Sequence, residues 1–113
     1  MALIKLGYVP NTGALVLSEG ADWVCSLQEV DGGTPVIWPD GTTCRLEFPE
    51  LDSIGPFDAT VVELSGTASF VLDKTVTVGA DILDKTPFHI YLVKENDFLW
   101  FQGKVDRKEL GHA

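Results

Sequence analysis

The sequence predicts an all-β fold: a single antiparallel β-sandwich of about seven strands, Ig-like in architecture, with at most one short helical turn. Three observations lead there. Turn signals recur at short intervals, at Pro10-Asn11, Asp31-Gly32-Gly33, Pro39-Asp40-Gly41, Gly55-Pro56, Ser65-Gly66 and Glu95-Asn96-Asp97, a spacing typical of sandwiches and barrels. Between the signals polarity alternates with period two, as in half-buried strands. Only residues 78–85 suit a helical turn, and Pro87 would stop it because proline cannot donate its backbone N–H.

Taken in order, residues 1–13, with Gly7, Pro10, Asn11 and Gly13, read as an extended N-terminal arm, 14–108 as the sandwich domain and 109–113 as a C-terminal tail. A first strand falls near 14–18. In 22–29, Trp23, Cys25 and Leu27 share one face and Ser26 and Gln28 the other; in 43–48, Cys44, Leu46 and Phe48 oppose Thr43, Arg45 and Glu47. Strands follow at 59–64, at 67–72 with Ala68, Phe70 and Leu72 inward, at 88–94 and at 97–105. The expected core includes Trp23, Cys25, Leu27, Cys44, Leu46, Phe48, Phe70, Leu72, Ile90, Leu92, Leu99 and Phe101.

The last hairpin gives the most specific expectation. A two-residue loop at Glu95-Asn96 would set Lys94 against Asp97, Leu92 against Leu99, Tyr91 against Trp100 and Ile90 against Phe101. One face then holds Phe88, Ile90, Leu92, Leu99, Phe101 and Val105 and is the core. The other carries His89, Tyr91, Phe98 and Trp100, which makes these four the candidate interface, since apolar groups left outside often mark contact sites.

Charge narrows the classes of partner. Of 17 acidic residues, eleven fall between Leu6 and Asp73 against the single basic Arg45, while Lys74 to Ala113 holds six of each sign, for a net charge of −9. Such a field repels phosphate and anionic lipid headgroups, so neither direct nucleic-acid binding nor a membrane is expected. The longest apolar runs are far below the roughly 18 residues of a membrane-spanning helix, and the start Met1-Ala2-Leu3-Ile4-Lys5 lacks the features of an export signal.

Chemistry at a site needs clustered groups, and the sequence offers few. Two cysteines, Cys25 and Cys44, and two histidines, His89 and His112, do not make a ligand quartet, so no metal and no cofactor is expected. Both cysteines fall on inward faces and are expected reduced. His89 lies mid-strand beside Tyr91, and no positioned nucleophile or base accompanies it. Asp81 with Asp84 and Glu50 with Asp52 lack the alternating pattern of a calcium loop. No catalytic residue is expected, and the chain reads as a binding or assembly protein.

The order Trp38-Pro39-Asp40-Gly41-Thr42, then Cys44-Arg45-Leu46-Glu47-Phe48, then Ala68-Ser69-Phe70-Val71-Leu72, and finally Phe88-His89-Ile90-Tyr91-Leu92-Val93 with Trp100-Phe101-Gln102-Gly103-Lys104-Val105, resembles small β-sandwich proteins of phages. It is similar to the LtfC-type family from phages of mycobacteria and their relatives, over about residues 14 to 108. The resemblance implies a virion structural protein: a head decoration, a connector or a tail-associated component. Its partners would be other virion proteins or copies of itself, with the chain oligomeric in a particle assembled in the host cytoplasm. The alternatives are a carbohydrate or host-surface module stacking sugars on Trp38 and Trp100, and an acidic protein that meets a basic partner.

Overall fold

The structure, a computed structural model, describes residues 10–79 and 81–108. Ten strands occur among them: β1 (Asn11–Leu17), β2 (Trp23–Gln28), β3 (Val30–Asp31), β4 (Thr34–Pro35), β5 (Thr43–Glu47), β6 (Phe57–Asp58), β7 (Thr60–Val62), β8 (Thr67–Leu72), β9 (Pro87–Val93) and β10 (Asp97–Arg107). The seven that exceed two residues are the seven that alternating polarity predicts. One sheet runs β1-β10-β9-β5-β6, the other β2-β8-β7, and β3 and β4 form a small separate hairpin.

The two larger sheets bury one face each. Cys44, Leu46, Phe70, Leu72, Ile90 and Leu92 are buried where alternation places them, and Leu15, Leu17 and Val105 join them from β1 and β10. Trp23, Leu27 and Phe101 pack against this core only partly buried. Leu99, expected in the core, stands across from Tyr91 on the outward side and is half-exposed. The crossover between β8 and β9 is anchored by fully buried Ile82 and Thr77. The Arg107 guanidinium donates to the Ile82 carbonyl at 2.9 Å and to the Thr77 carbonyl at 2.8 Å, so the end of β10 holds that crossover in place.

Three expectations are corrected. The sandwich is not wholly antiparallel: β1 runs parallel to β10, with Asn11 beside Phe101 and Leu15 beside Val105, because the chain's first and last long strands meet after the whole domain has crossed over. They approach closely at Gly13 and Gly103. A Cβ on Gly103 would lie 1.7 Å from the Gly13 carbonyl oxygen. The strand also begins at Asn11, three residues before the expected strand start at residue 14, while residues 1–9 of the arm and the tail 109–113 lie outside the described residues.

The second correction concerns the helical turn. It forms at Glu63–Ser65, where the strand expected over 59–64 ends, and Gly66 closes it in the left-handed conformation, φ 59 and ψ 41. A side chain at Gly66 would also meet the Val36 carbonyl at 2.2 Å. Across 78–85, the described residues form turns instead, tied by the Ile82 N–H to the Val78 carbonyl at 3.1 Å.

The third correction is the register of the last hairpin. Asp97 pairs with Val93, Phe98 with Leu92 and Leu99 with Tyr91, so three residues form the loop rather than two. Beyond Leu99 the register shifts at a β-bulge, and Phe101 pairs with Ile90 and Gln102 with His89, as the shorter loop would have placed them. The extra residue is Trp100, and a bulge re-aims the side chain it carries. Trp100 therefore turns inward and is 3% exposed, which removes it from the outer face.

Candidate assembly surface

The four residues of the expected interface separate in space. Trp100 packs edge-on against Trp38, ring centroids 5.7 Å apart, and lies 5.0 Å from the Phe101 ring. Its backbone carbonyl accepts from Asn11 Nδ2 at 3.2 Å, which ties β1 to the bulge. Phe98 lies half-buried at the rim of a hollow of about 270 Å³ with Pro39, Lys94, Glu95 and Asn96. Only His89 and Tyr91 remain together on the outer face of the larger sheet, their rings 5.8 Å apart and Tyr91 Oη 3.3 Å from His89 Nδ1.

Around that pair the outer face is charged and internally satisfied. Arg45 pairs with Glu47 through Nε and with Asp97 through Nη2 at 3.6 Å, and its guanidinium lies 4.7 Å from the centre of the Tyr91 ring. The hydrogen bond to Glu47 raises the already high pKa of Arg45 further. Strand pairing delivers this arrangement: Arg45 stands across from Tyr91 on one side and Asp58 on the other, and Glu47 across from His89.

A second polar cluster pins the turn that carries Trp38. Glu29 Oε1 accepts from Trp38 Nε1 at 2.7 Å and from Lys94 Nζ at 2.8 Å, so one carboxylate joins the end of β2, the segment before β5 and the last hairpin. Burial pushes the Glu29 carboxyl up, but the hydrogen bonds from Lys94 and Trp38, with the Lys94 charge, outweigh it and hold its pKa below the ordinary value. With Trp38 2% exposed and Trp100 equally inaccessible, the two tryptophans cannot form a sugar-stacking platform, and that alternative is corrected by their burial.

The outer face of the smaller sheet is different in kind. Its outward positions are Val24, Ser26 and Gln28 on β2, Thr67, Ser69 and Val71 on β8, and Thr60 and Val62 on β7. None is charged, and all are of modest size. Val24 stands directly across from Val71, and they are 68% and 69% exposed. Ser26 and Ser69 hydroxyls meet at 2.9 Å, with Thr60 across from Ser69. Val62 is half-exposed, and Leu64, in the adjoining helical turn, is 81% exposed. The sequence does carry this signal: alternate positions over 24–28 and 67–71 are uncharged, and it is the outward parity of these strands that reveals it.

The cysteine thiols lie on opposite sheets, Cys25 on β2 and Cys44 on β5, and both are free. Burial pushes the Cys44 thiol up to about 12, only partly offset by the Arg45 charge, and raises that of Cys25 as well. Both shifts disfavour the thiolate form that nucleophilic chemistry uses. Among the described residues no three His, Cys, Asp or Glu side chains come together as metal ligands.

Fold and surface define a small β-sandwich protein with one charged outer face and one neutral one. A family model described as an LtfC-like β-sandwich domain matches residues 9–108, and the chain belongs to that family. No curated protein matches the sequence.

Proposed function

We propose that this chain is a non-enzymatic structural protein of a phage particle, a head-decorating, connector or tail-associated component. It works by assembling with other virion proteins or copies of itself through the outer face of β2, β8 and β7. The observation that carries the reading is the uncharged surface formed by Val24, Ser26, Gln28, Thr60, Val62, Thr67, Ser69 and Val71 on a chain of net charge −9. Burying a charge against a partner is costly unless it is paired and hydrogen-bonded, and the centres of protein interfaces are depleted of charged residues. A face without charges avoids that cost. Membership of the LtfC-like family supports the phage setting through the resemblance already described. In a particle, repetition lets a modest contact suffice, because many linked sites act together.

The test is to place a charge at the centre of the exposed valine pair. Val71→Glu alters a side chain that is already in water, so folded stability should change by no more than about 0.5 kcal/mol, while incorporation into particles should be lost. Normal incorporation of a stably folded Val71→Glu chain would contradict this assignment of the surface.

A further inference from the structure

Every outward position of β2, β8 and β7 is uncharged, and the polar groups among them share one property. Ser26, Thr60, Thr67 and Ser69 present hydroxyls and Gln28 an amide. Each of these groups both donates and accepts hydrogen bonds, whereas an ammonium or guanidinium only donates and a carboxylate only accepts. The Ser26 and Ser69 hydroxyls share one bond at 2.9 Å, and Gln28 Nε2 donates to the Ser65 carbonyl at 3.0 Å, which leaves both kinds of side chain with capacity to accept more. Ser69 occupies the centre of the face: it lies on the middle strand, with Ser26 across from it on one side and Thr60 on the other.

Such a surface complements itself. Across a two-fold axis a patch meets the same patch reversed, and a residue close to the axis meets its own image. A charged residue there would face a like charge, which is costly, whereas a hydroxyl that donates in one copy accepts in the other. A basic partner would be met best by acidic groups. The chain has 17 of them and sets none at these outward positions. A second copy, bearing the same net charge of −9, is the partner this pattern fits. Three strands about 4.8 Å apart, with a rise of about 3.4 Å over the six residues of β2 and β8, give a face of roughly 300 Å². That is well short of the about 800 Å² per partner of a standard interface, so the contact is weak and reversible in the free chain.

We propose that the outer face of β2, β8 and β7 binds the same face of a second copy across a two-fold axis passing beside Ser69, with the two sheets stacked about 10 Å apart. This inference rests on the assignment of that face to assembly and names its partner.

Sedimentation equilibrium of the full chain tests it. The parent should associate reversibly to dimers as its concentration rises to about 1 mM. Association should be stronger in about 0.5 M than in about 0.1 M salt, because screening relieves the repulsion between two acidic bodies while the contact itself holds no ion pair. Ser69→Asp and Ser69→Lys should each lower the association constant at least about tenfold alone and recover it when mixed in equal amounts, since opposite charges then meet at the axis. A parent still monomeric at about 1 mM, association that weakens with salt, or folded variants no more associated when mixed than alone overturn the proposal. If either Ser69 variant fails to fold, the decision passes to Val71→Glu, which alters a side chain already in water: loss of the dimer supports the proposal, and an unchanged dimer overturns it. The Val71→Glu chain also separates this inference from the reading beneath it. A monomeric parent whose incorporation into particles is nevertheless lost through Val71→Glu overturns the second copy as partner, in favour of another virion protein, and leaves the face as the assembly surface. A Val71→Glu chain that loses the dimer yet enters particles normally supports the two-fold contact and overturns the assembly reading instead.

Discussion

On the outer face of β5, β9 and β10, charges are arranged against one another: Arg45 with Glu47 and Asp97, its guanidinium over Tyr91, and Tyr91 beside His89. On the outer face of β2, β8 and β7 there is no charge to arrange, only hydroxyls, an amide and exposed valines. Both faces belong to one sandwich and are built by the same alternation, so their difference is not imposed by folding. A face with satisfied ion pairs stays comfortably in water. A neutral, flat face with valines in its midst gains from being covered, since apolar area removed from water contributes roughly 25 cal/mol per Å². Like charges brought together elsewhere on the acidic surface would repel, which favours the neutral face as the place for a contact.

The largest expected effect sharpens this comparison by removing the last hairpin from the list of contact surfaces. Trp100→Ala should cost about 3–5 kcal/mol of stability, the range for emptying a buried tryptophan site, measured as a fall in the denaturation midpoint. A loss below about 0.5 kcal/mol, the scale of a surface substitution, would return Trp100 to the outer face and contradict the bulge.

A smaller effect is expected at Glu29, where a charge serves stability and not assembly. Glu29→Gln should cost about 1–2 kcal/mol at neutral pH, since hydrogen bonds to a charged group are among the stronger ones. Because the folded pKa of Glu29 lies below its unfolded value, near 4.3, its contribution is complete above that value and is lost as pH falls through the folded pKa. The acid limb of the stability profile should therefore be flatter in Glu29→Gln than in the parent, while incorporation into particles is retained. Identical acid limbs would show that the Trp38–Glu29–Lys94 junction contributes nothing.

The same contrasts show what was legible in the sequence. Alternation located the seven principal strands and most of the core, because a residue's parity in a half-buried strand decides its face. Trp100 escaped that logic: its inward turn depends on a bulge paired with a three-residue loop, two departures that cancel by Phe101 and leave no local trace. The parallel placement of β1 beside β10 is likewise set by contacts about ninety residues apart, such as Asn11 to the Trp100 carbonyl. The Glu29–Lys94 pair spans 65 positions and has no signature in either neighbourhood. The neutral face was readable in principle, since Val24, Ser26, Gln28, Thr67, Ser69 and Val71 alternate with inward residues. The aromatic residues of 89–100 are the more conspicuous sequence signal, and they point to the hairpin instead.

The central claim, that the chain assembles through the neutral face, is tested most directly by hydroxyl-radical footprinting of the free protein against the protein in assembled particles. Oxidation of Val24, Val62, Leu64 and Val71, all exposed in the free chain, should fall sharply on assembly, while Tyr91 and Leu99 on the opposite face stay as reactive as before. Protection of Tyr91 and Leu99, with the valines of β2, β7 and β8 still fully oxidised in the particle, would contradict it.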